Sequence, residues 1–343
     1  VLNLRFGGVQ LKNDVELKEK FEEIFSDNAN QLGVECDYPF SDRRAFAQII
    51  KRAHKKFSER VVILVDEYDK PILDNITNVK VAAMMRDALR DLYSVIKDSD
   101  AHIKFAFLTG VSKFSKVSLF SGLNNLHDIT LSSDYAALCG YTEKDVDTVF
   151  APELKGLNRD DIRLWYNGYR WLGDSVYNPF DLLLLFKERD FRPYWFETGT
   201  PTFLIELLME RKVFAPALGG IQTNAELLGR FDVNDIATEA LLFQTGYLTI
   251  RDVRNIPGRQ QYILAYPNLE VQTSLNEHLC CALVRDRQAQ NNLSVKLYDI
   301  LLDNDFDKLK SLIHSLFSSI PSDWYRNNTI ANYEGYYASV FYT

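Results

Sequence analysis

The sequence predicts an α/β fold: a parallel sheet with helices on both faces, followed by a mostly helical region. Three observations support this prediction. Residues 61–65 are five consecutive apolar, mostly β-branched residues, a pattern typical of a strand buried in a parallel sheet. A second apolar run at residues 102–108 follows a segment whose apolar residues recur at helical spacing. Beyond about residue 140, helical patterns separated by short turns replace the strands.

The first third of the chain alternates between strand and helix patterns. Residues 1–6 alternate like a strand, and residues 14–25 form a charged amphipathic helix. Ser41 is expected to cap a second helix that reaches Phe57, and residues 81–96 form a third helix. Because strands and helices alternate, we expect crossover connections and parallel strands.

The later part of the chain carries helix-start signals. Thr142 and Asp145 match a capping box. Thr200 followed by Pro201 matches an N-cap with proline at the first helical position. Residues 235–266 are expected to form a helix and a hairpin, which resembles a winged helix. Such a segment contacts DNA in some proteins and only packs between domains in others.

Two aromatic and asparagine-containing clusters, residues 165–169 and 176–180, interrupt the helical patterns. They could form a ligand groove, but the packing of turns is the simpler interpretation.

The bulk composition excludes several classes of protein. An apolar content of 46% and a charged content of 25% are typical of a globular protein. A net charge of −8 argues against a broad basic surface for nucleic acid. No run of about 18 apolar residues occurs in the sequence, so no membrane span is predicted. The four cysteines lack Cys-x-x-Cys spacing, so we expect buried thiols and a cytoplasmic location.

Two adjacent carboxylates, Asp66 and Glu67, stand directly after the strand predicted at residues 61–65. Open α/β sheets bind ligands at this end of their strands. The pattern is typical of a Walker B element of a P-loop NTPase, in which one carboxylate supports Mg²⁺ and the next polarises the attacking water. An acidic pair in this position could equally be a helix cap or a turn.

Thr109 ends the strand that follows the Walker B-like element. A short polar side chain at this position suits a sensor that reaches a γ-phosphate or its attacking water. The simpler alternative is that Thr109 caps a turn.

Six short motifs, spread along nearly the whole chain, carry a family resemblance. They are ILVDEYDKP at residues 63–71, LTGVSKF at 108–114, FSGLNNL at 120–126, WYNGY at 165–169, YNPF at 177–180 and TGTP at 198–201. In this order they resemble the bacterial AAA-ATPase-like proteins that carry a PD-(D/E)XK nuclease domain at the C-terminus. The resemblance implies an ATPase domain, a helical middle region and a restriction-endonuclease-like end.

The resemblance also implies roles for individual residues. Asp66 would support Mg²⁺ and bind the nucleotide cofactor through it, Glu67 would activate the attacking water, and Thr109 would act as the sensor. Glu334 lies in a Tyr-Glu-Gly-Tyr-Tyr segment that resembles the start of the nuclease module, where it would stand beside a metal. The implied cofactors are ATP and Mg²⁺, the expected partner is DNA or a protein, and homo-oligomers are expected.

Two features of the resembled family are absent from the sequence. The family carries a phosphate-binding motif, typically Arg-Arg-Phe-Gly-Lys-Ser, yet no Gly-Lys-Ser or Gly-Lys-Thr occurs here. The Asp and Glu-x-Lys elements of a nuclease site do not follow Glu334. We therefore expect a fragment truncated at both ends that by itself binds ATP weakly or not at all and does not cut DNA.

These inferences divide the chain into four parts. They are a P-loop NTPase-like core without its P-loop strand at residues 1–138, a helical region at 139–234, a winged-helix-like and helical region at 235–320, and the start of a nuclease-like module at 321–343. The leading hypothesis is a fragment of an AAA-like ATPase coupled to a nuclease. The alternative is a non-catalytic protein- or DNA-binding scaffold with a degenerate ATPase core. Three arginines are candidate arginine fingers: Arg86, Arg90 and Arg163.

Overall fold

The protein is described by a computed structural model. It describes residues 1–112, 119–120, 123, 125–197, 202–211, 213, 215–229, 231–232, 235–283 and 287–319. The chain divides into two compact units, the first formed by residues 1–129 and 223–245, the second by residues 130–222 and 246–343.

Both units contain helices and strands. The first unit begins with β1 (Leu2–Arg5), α1 (Asp14–Leu32), α2 (Arg43–Phe57), β2 (Val61–Asp66), α3 (Lys70–Leu73), α4 (Val79–Asp98) and β3 (Ile103–Leu108). Next come α5 (Glu143–Thr148), α6 (Arg159–Tyr166), α7 (Pro179–Glu188), α8 (Tyr194–Glu197), α9 (Thr202–Glu210) and β4 (Ile221–Thr223). The chain continues with α10 (Ala225–Leu228), β5 (Phe231–Asp232), β6 (Asp235–Ile236) and α11 (Thr238–Gln244). It then forms β7 (Thr249–Ile256), β8 (Arg259–Ala265), α12 (Leu269–Leu283), α13 (Arg287–Leu302) and α14 (Phe306–Ser319).

The first unit contains a parallel sheet in the order β1-β2-β3. In register, Leu4 pairs with Val65, and Val65 pairs with Leu108. The predicted α/β class with a parallel sheet is therefore confirmed. Because all three strands point the same way, their carboxyl ends lie at one edge of the sheet.

The described residues cover the two faces of this sheet unequally. Ile63 and Val65 are 0% and 2% exposed, whereas Leu64 and Phe105 on the opposite face are 38% and 54% exposed. Helix α1 packs on β1, and α2 packs on β2. The alternation of burial along β2 shows that, within the described residues, the main core lies on one face.

An asparagine from α1 occupies the outer edge of β1. The Asn28 side chain accepts a hydrogen bond from Asn3 N at 2.9 Å and donates one to Asn3 O at 2.8 Å. Asn28 is only 6% exposed. Its amide thus satisfies main-chain groups that an unpaired edge strand would otherwise present.

The helix boundaries near α2 differ from the prediction. Asp42, and not Ser41, caps this helix, because the Asp42 carboxylate accepts a hydrogen bond from Arg44 N at 2.8 Å. Helix α1 continues to Leu32, beyond the predicted end at residue 25. It stops where Gly33 adopts the left-handed conformation, with φ of 60°.

Part of the basic face of α2 has a structural use. Lys56 Nζ donates to the carbonyl oxygens of Leu32 and Gly33 at 2.9 and 2.8 Å. A cation at this position satisfies carbonyl groups at the C-terminus of α1 and opposes their partial negative charge. Arg52 pairs with Asp37 on the same side of α2.

The second unit buries the aromatic clusters that the sequence singled out. Tyr166 and Tyr177 are both 0% exposed and pack with Ile162 and Leu182. The interpretation that these clusters pack turns is therefore confirmed. The predicted capping box is also present at the start of α5. The predicted cap at residues 200–201 lies outside the described residues, although α9 begins at the next position.

The predicted hairpin is formed by β7 and β8, which pair antiparallel. Gly258 adopts a positive φ of 81° in the turn between them. Helix α11, which precedes this hairpin, belongs to the first compact unit, and the hairpin belongs to the second.

Two expectations from the composition concern the cysteines and the absence of a membrane span. Cys280 is buried as expected, but Cys139 is exposed, so the prediction of buried thiols is wrong for Cys139. Among the residues described, no helix has both the length and the apolar character needed to cross a bilayer.

Candidate functional site

The candidate site lies at the carboxyl edge of the parallel sheet in the first unit. Gly7 follows β1, Asp66 ends β2 with Glu67 directly after it, and Thr109 follows β3. These residues come from three separate chain segments. The parallel order of the strands brings them together.

Asp66 and Thr109 are in direct contact. Thr109 Oγ1 lies 2.9 Å from Asp66 Oδ1 and 3.2 Å from the carbonyl oxygen of Val65. The main chain of Thr109 continues the sheet, because its N–H donates to Val65 O at 2.8 Å. Asp66 remains exposed to solvent. The structure therefore brings together the two residues that the sequence placed at neighbouring strand ends.

Glu67 has an unusual backbone and an unusual side chain. Its φ is +53°, in the left-handed region that residues other than glycine rarely adopt. Its Oε2 atom is buried and has no hydrogen-bond partner among the described residues. A non-glycine residue in this conformation costs about 1 to 3 kcal/mol, and strain of this kind concentrates at ligand and catalytic sites.

Gly7 allows the Glu67 side chain to occupy its place. A Cβ atom built on Gly7 would lie 2.7 Å from Glu67 Oε2 and 3.2 Å from the carboxyl carbon. These separations are shorter than normal van der Waals contact. The end of β1 thus leaves room for the Glu67 carboxylate that a larger residue would displace.

The next two residues after Glu67 face away from this edge and hold a loop. Asp69 is 0% exposed and accepts hydrogen bonds from Val111 N at 3.2 Å and from Ser112 N and Oγ at 2.5 Å each. The Tyr68 hydroxyl donates to Ser112 O at 2.5 Å. Sequence reasoning missed both roles. The available signal was a third acid, Asp69, three residues after Asp66.

Gly110 lets the loop lie directly on these two side chains. A Cβ atom on Gly110 would lie 2.4 Å from Asp69 Oδ1 and 2.8 Å from the Tyr68 ring. Only glycine fits this approach without a shift of neighbouring atoms. The contact explains a glycine directly after Thr109.

Burial controls the electrostatics behind the edge. Desolvation raises the pKa of Asp69 above its ordinary value, and the hydrogen bonds from Ser112 and Val111 oppose this rise. Burial also raises the pKa of Tyr93 well above its ordinary value. The Tyr93 hydroxyl donates to Tyr68 O at 3.0 Å, so the segment after Glu67 is held from a second side.

The donor set at the edge fits Mg²⁺ bound together with a phosphate ligand. Magnesium prefers oxygen ligands and is commonly held by one or two carboxylates plus phosphates and water. Asp66 and Glu67 supply such carboxylates, and Glu67 Oε2 is an orphaned buried oxygen. Within the described ranges, no group of three or more His, Cys, Asp or Glu side chains could hold a metal ion by itself.

The other candidates from the sequence lie elsewhere. Arg86 and Arg90 both pair with Asp87 at 3.1 Å. Arg163 belongs to the second unit and pairs with Glu143 at 3.0 Å. Glu334 lies outside the described residues.

Comparison with known proteins found one family model and one curated relative. Residues 1–120 match the model of the AAA-ATPase-like family, described as a predicted AAA-ATPase. Over 343 residues, the chain is 59% identical to an uncharacterized protein in the vnfD 5′ region of Azotobacter chroococcum mcd 1. The match covers 100% of this chain and 66% of that relative's length. No solved structure matches the chain. Every residue of the carboxyl edge falls within the segment that matches the family.

Proposed function

We propose that this chain supplies the Walker B and sensor part of an AAA-like site that hydrolyses ATP with Mg²⁺. Asp66 would support the metal ion, Glu67 would activate the attacking water, and Thr109 would contact the γ-phosphate or its water. The observation that carries this proposal is the buried, unpartnered Oε2 atom of Glu67 beside the contact between Asp66 and Thr109. The family match over residues 1–120 supports ATP as the nucleotide.

The proposed chemistry assigns each side chain a distinct task. Bound Mg²⁺ neutralises charge on the phosphates during phosphoryl transfer. The exposed Asp66 carboxylate provides oxygen ligands for the ion or for its water. The Glu67 carboxylate would accept a hydrogen bond from the attacking water and so orient it. The Thr109 hydroxyl lies within hydrogen-bond distance of Asp66 Oδ1 and of Val65 O, which places both side chains together on the edge.

Asp66 and Glu67 alone do not predict tight nucleotide binding. Phosphate-binding loops hold the triphosphate with backbone N–H groups and a lysine, and no Gly-Lys-Ser or Gly-Lys-Thr occurs in this sequence. We propose that the chain alone binds ATP weakly and that the natural protein containing it binds ATP tightly. Calorimetric titration of both with Mg²⁺ and ATP tests this proposal. Saturable binding by the chain alone at micromolar ATP would contradict it.

The decisive test of hydrolysis is Glu67→Gln in the natural protein that contains this chain. Because glutamine keeps the size of the side chain but is a poor base, we expect ATP turnover to fall about 100-fold or more while ATP binding is retained. Glu59→Gln, at an exposed position of the same unit, is the matched control. Unchanged turnover in the Glu67 variant would exclude the proposed role.

Coupling to a nuclease is a finer proposal that depends on the sequence resemblance. Glu334 would belong to the start of the nuclease module, and nucleotide state would control the cutting of DNA. The test is metal-dependent cleavage of supercoiled DNA by the natural protein and by its Glu334→Ala variant. Equal cleavage by the two proteins would contradict a role for Glu334.

A further inference from the structure

Asp69 and Tyr68 form a tether that connects the Walker B-like element to the loop after β3. The tether is defined by the hydrogen bonds of these two side chains to Val111 and Ser112. Two N–H groups, one hydroxyl and one carbonyl of the loop are bound by it. The residues that it joins are 42 to 44 positions apart in the sequence.

The four residues 66–69 therefore form two pairs with different surroundings. Asp66 and Glu67 face the carboxyl edge, where Asp66 contacts Thr109. Tyr68 and Asp69 are 7% and 0% exposed and face the loop. The left-handed φ of Glu67 separates the two directions, because it turns the chain between the pairs.

Thr109 connects the sheet to the loop that the tether holds. On one side its N–H continues the sheet by donating to Val65 O at 2.8 Å, and its carbonyl accepts from Tyr68 N at 3.0 Å. On the other side, Gly110 lies against Asp69 so closely that a Cβ atom would be 2.4 Å from Oδ1. A shift of the loop by even a fraction of an ångström would change the direction of the Thr109 main chain.

We infer that Asp69, assisted by Tyr68, is a positioning residue that holds Thr109 against Asp66 for the hydrolysis of ATP. This inference rests on the proposed function of the same edge. Asp69 acts through the loop and does not itself contact the reacting atoms. A displacement of about 1 Å in a positioned group can cost about 100-fold in rate, so loss of the tether should reduce turnover more than it reduces stability.

The first test measures the tether in this chain without any nucleotide. In Asp69→Asn, the side chain keeps one oxygen acceptor and gains an N–H₂ donor, so it cannot accept from both Val111 N and Ser112 N, which now bind separate carboxylate oxygens. We expect hydrogen exchange of at least one of these two amides to become about tenfold faster or more, because it loses its hydrogen bond to the side chain. Unchanged exchange at both amides would overturn the inference.

The second test separates positioning from general stability in the natural protein. Asn28→Ala is the matched control, because Asn28 is also buried and hydrogen-bonded in the first unit but lies at the β1 edge of the sheet. We expect Asp69→Asn to lower kcat about 10- to 100-fold with KM for ATP nearly unchanged, while Asn28→Ala lowers Tm with kcat retained. Asp69→Glu, which keeps the carboxylate, should recover part of kcat. Equal kcat in Asp69→Asn and Asn28→Ala would overturn the inference.

The outcome distinguishes this inference from the function on which it rests. If Glu67→Gln leaves turnover unchanged, the proposed hydrolysis at this edge fails, and the exchange measurement alone still reports on the tether. If Glu67→Gln abolishes turnover and Asp69→Asn does not alter it, the positioning role fails and the proposed function stands.

Discussion

Asp181 and Glu270 form a buried pair of carboxyl groups in the second unit, and this pair predicts a specific dependence of stability on pH. Both side chains are 0% exposed. The N–H of Trp195 donates to Asp181 Oδ1 at 2.7 Å and to Glu270 Oε1 at 3.0 Å, so the two groups converge on one donor. Two carboxylates this close cannot both be ionised without a large cost, and we expect them to share one proton.

The magnitude follows from the pKa values of the pair. Burial, with a contribution from the charge of Asp181, raises the pKa of Glu270 from 4.5 to about 9. Burial raises the pKa of Asp181 from 3.8 to about 6. Between pH 7 and pH 9 the folded protein therefore holds a proton that the unfolded chain has lost. The free energy of unfolding should therefore fall as the pH rises from 7 to 9, by roughly 1 kcal/mol per pH unit and by no more than about 3 kcal/mol in all.

The sign follows from the raised pKa. Because Glu270 binds its proton more tightly in the folded state, its favourable contribution is complete below pH 4.5 and is lost as the pH rises through about 9. Tyr166 and Tyr169 are titratable groups near the pair, and His278 lies on the same helix as Glu270. A comparison between the wild-type chain and a variant cancels their contributions.

The assay is urea denaturation at pH 7 and pH 9, followed by tryptophan fluorescence. Glu270→Gln replaces the acid with an amide that can donate to Asp181 and does not titrate. We expect this variant to lose most of the decrease seen in the wild-type chain. Glu197→Gln, at an exposed position of α8, should retain it.

Equal decreases in the wild-type chain and in Glu270→Gln would refute the shared proton. Asp181→Asn provides a second variant, because it removes the neighbouring charge that raises the pKa of Glu270. Its decrease with pH should be smaller than that of the wild-type chain. Added Mg²⁺ should not stabilise any of these proteins through the Asp181–Glu270 pair. If Mg²⁺ stabilised the wild-type chain but not Glu270→Gln, a cation would take the place of the shared proton.

Two further predictions concern the first unit. Gly7→Ala places a Cβ atom 2.7 Å from Glu67 Oε2 and should lower ATP turnover of the natural protein about tenfold with little change in Tm. Gly220→Ala, whose Cβ meets no atom within 4 Å, is its control, and equal turnover in the two variants would contradict a role for Gly7. Lys56→Met should lower the free energy of unfolding by about 1 kcal/mol in urea denaturation, because carbonyl groups at the end of α1 lose their donor. Lys55→Met, at an exposed neighbouring position, should change it less, and equal losses would contradict the capping role.

Local sequence patterns were sufficient for the strands and for the edge at which they end. The β-branched run before Asp66 predicts a buried strand, and its regular alternation with helices predicts parallel neighbours. From these two facts the carboxyl ends must meet, so Asp66, Glu67 and Thr109 could be assigned to one edge. Their roles in catalysis remain proposals, since no local pattern distinguishes a Walker B acid from an acidic turn.

Local patterns were not sufficient for caps and for the uses of charged side chains. Ser41 and Asp42 are both good N-cap residues, and the choice of Asp42 depends on where the chain enters α2. Lys56 lies among several basic residues of α2, yet it binds carbonyl groups at the end of α1. Competing partners of similar energy cannot be ranked without the neighbouring helix.

The sequence by itself determined the class of fold, the parallel direction of its strands and the edge that carries Asp66, Glu67 and Thr109, because these follow from periodicity and chain direction. Only the tertiary structure decided that Asp69 binds Ser112, that Gly7 makes room for Glu67 and that Glu270 meets Asp181. The residues in each case are between 43 and 89 positions apart, so no local pattern can reveal them. The polar interactions among them become strong only after folding, because the buried surroundings are less polar than water.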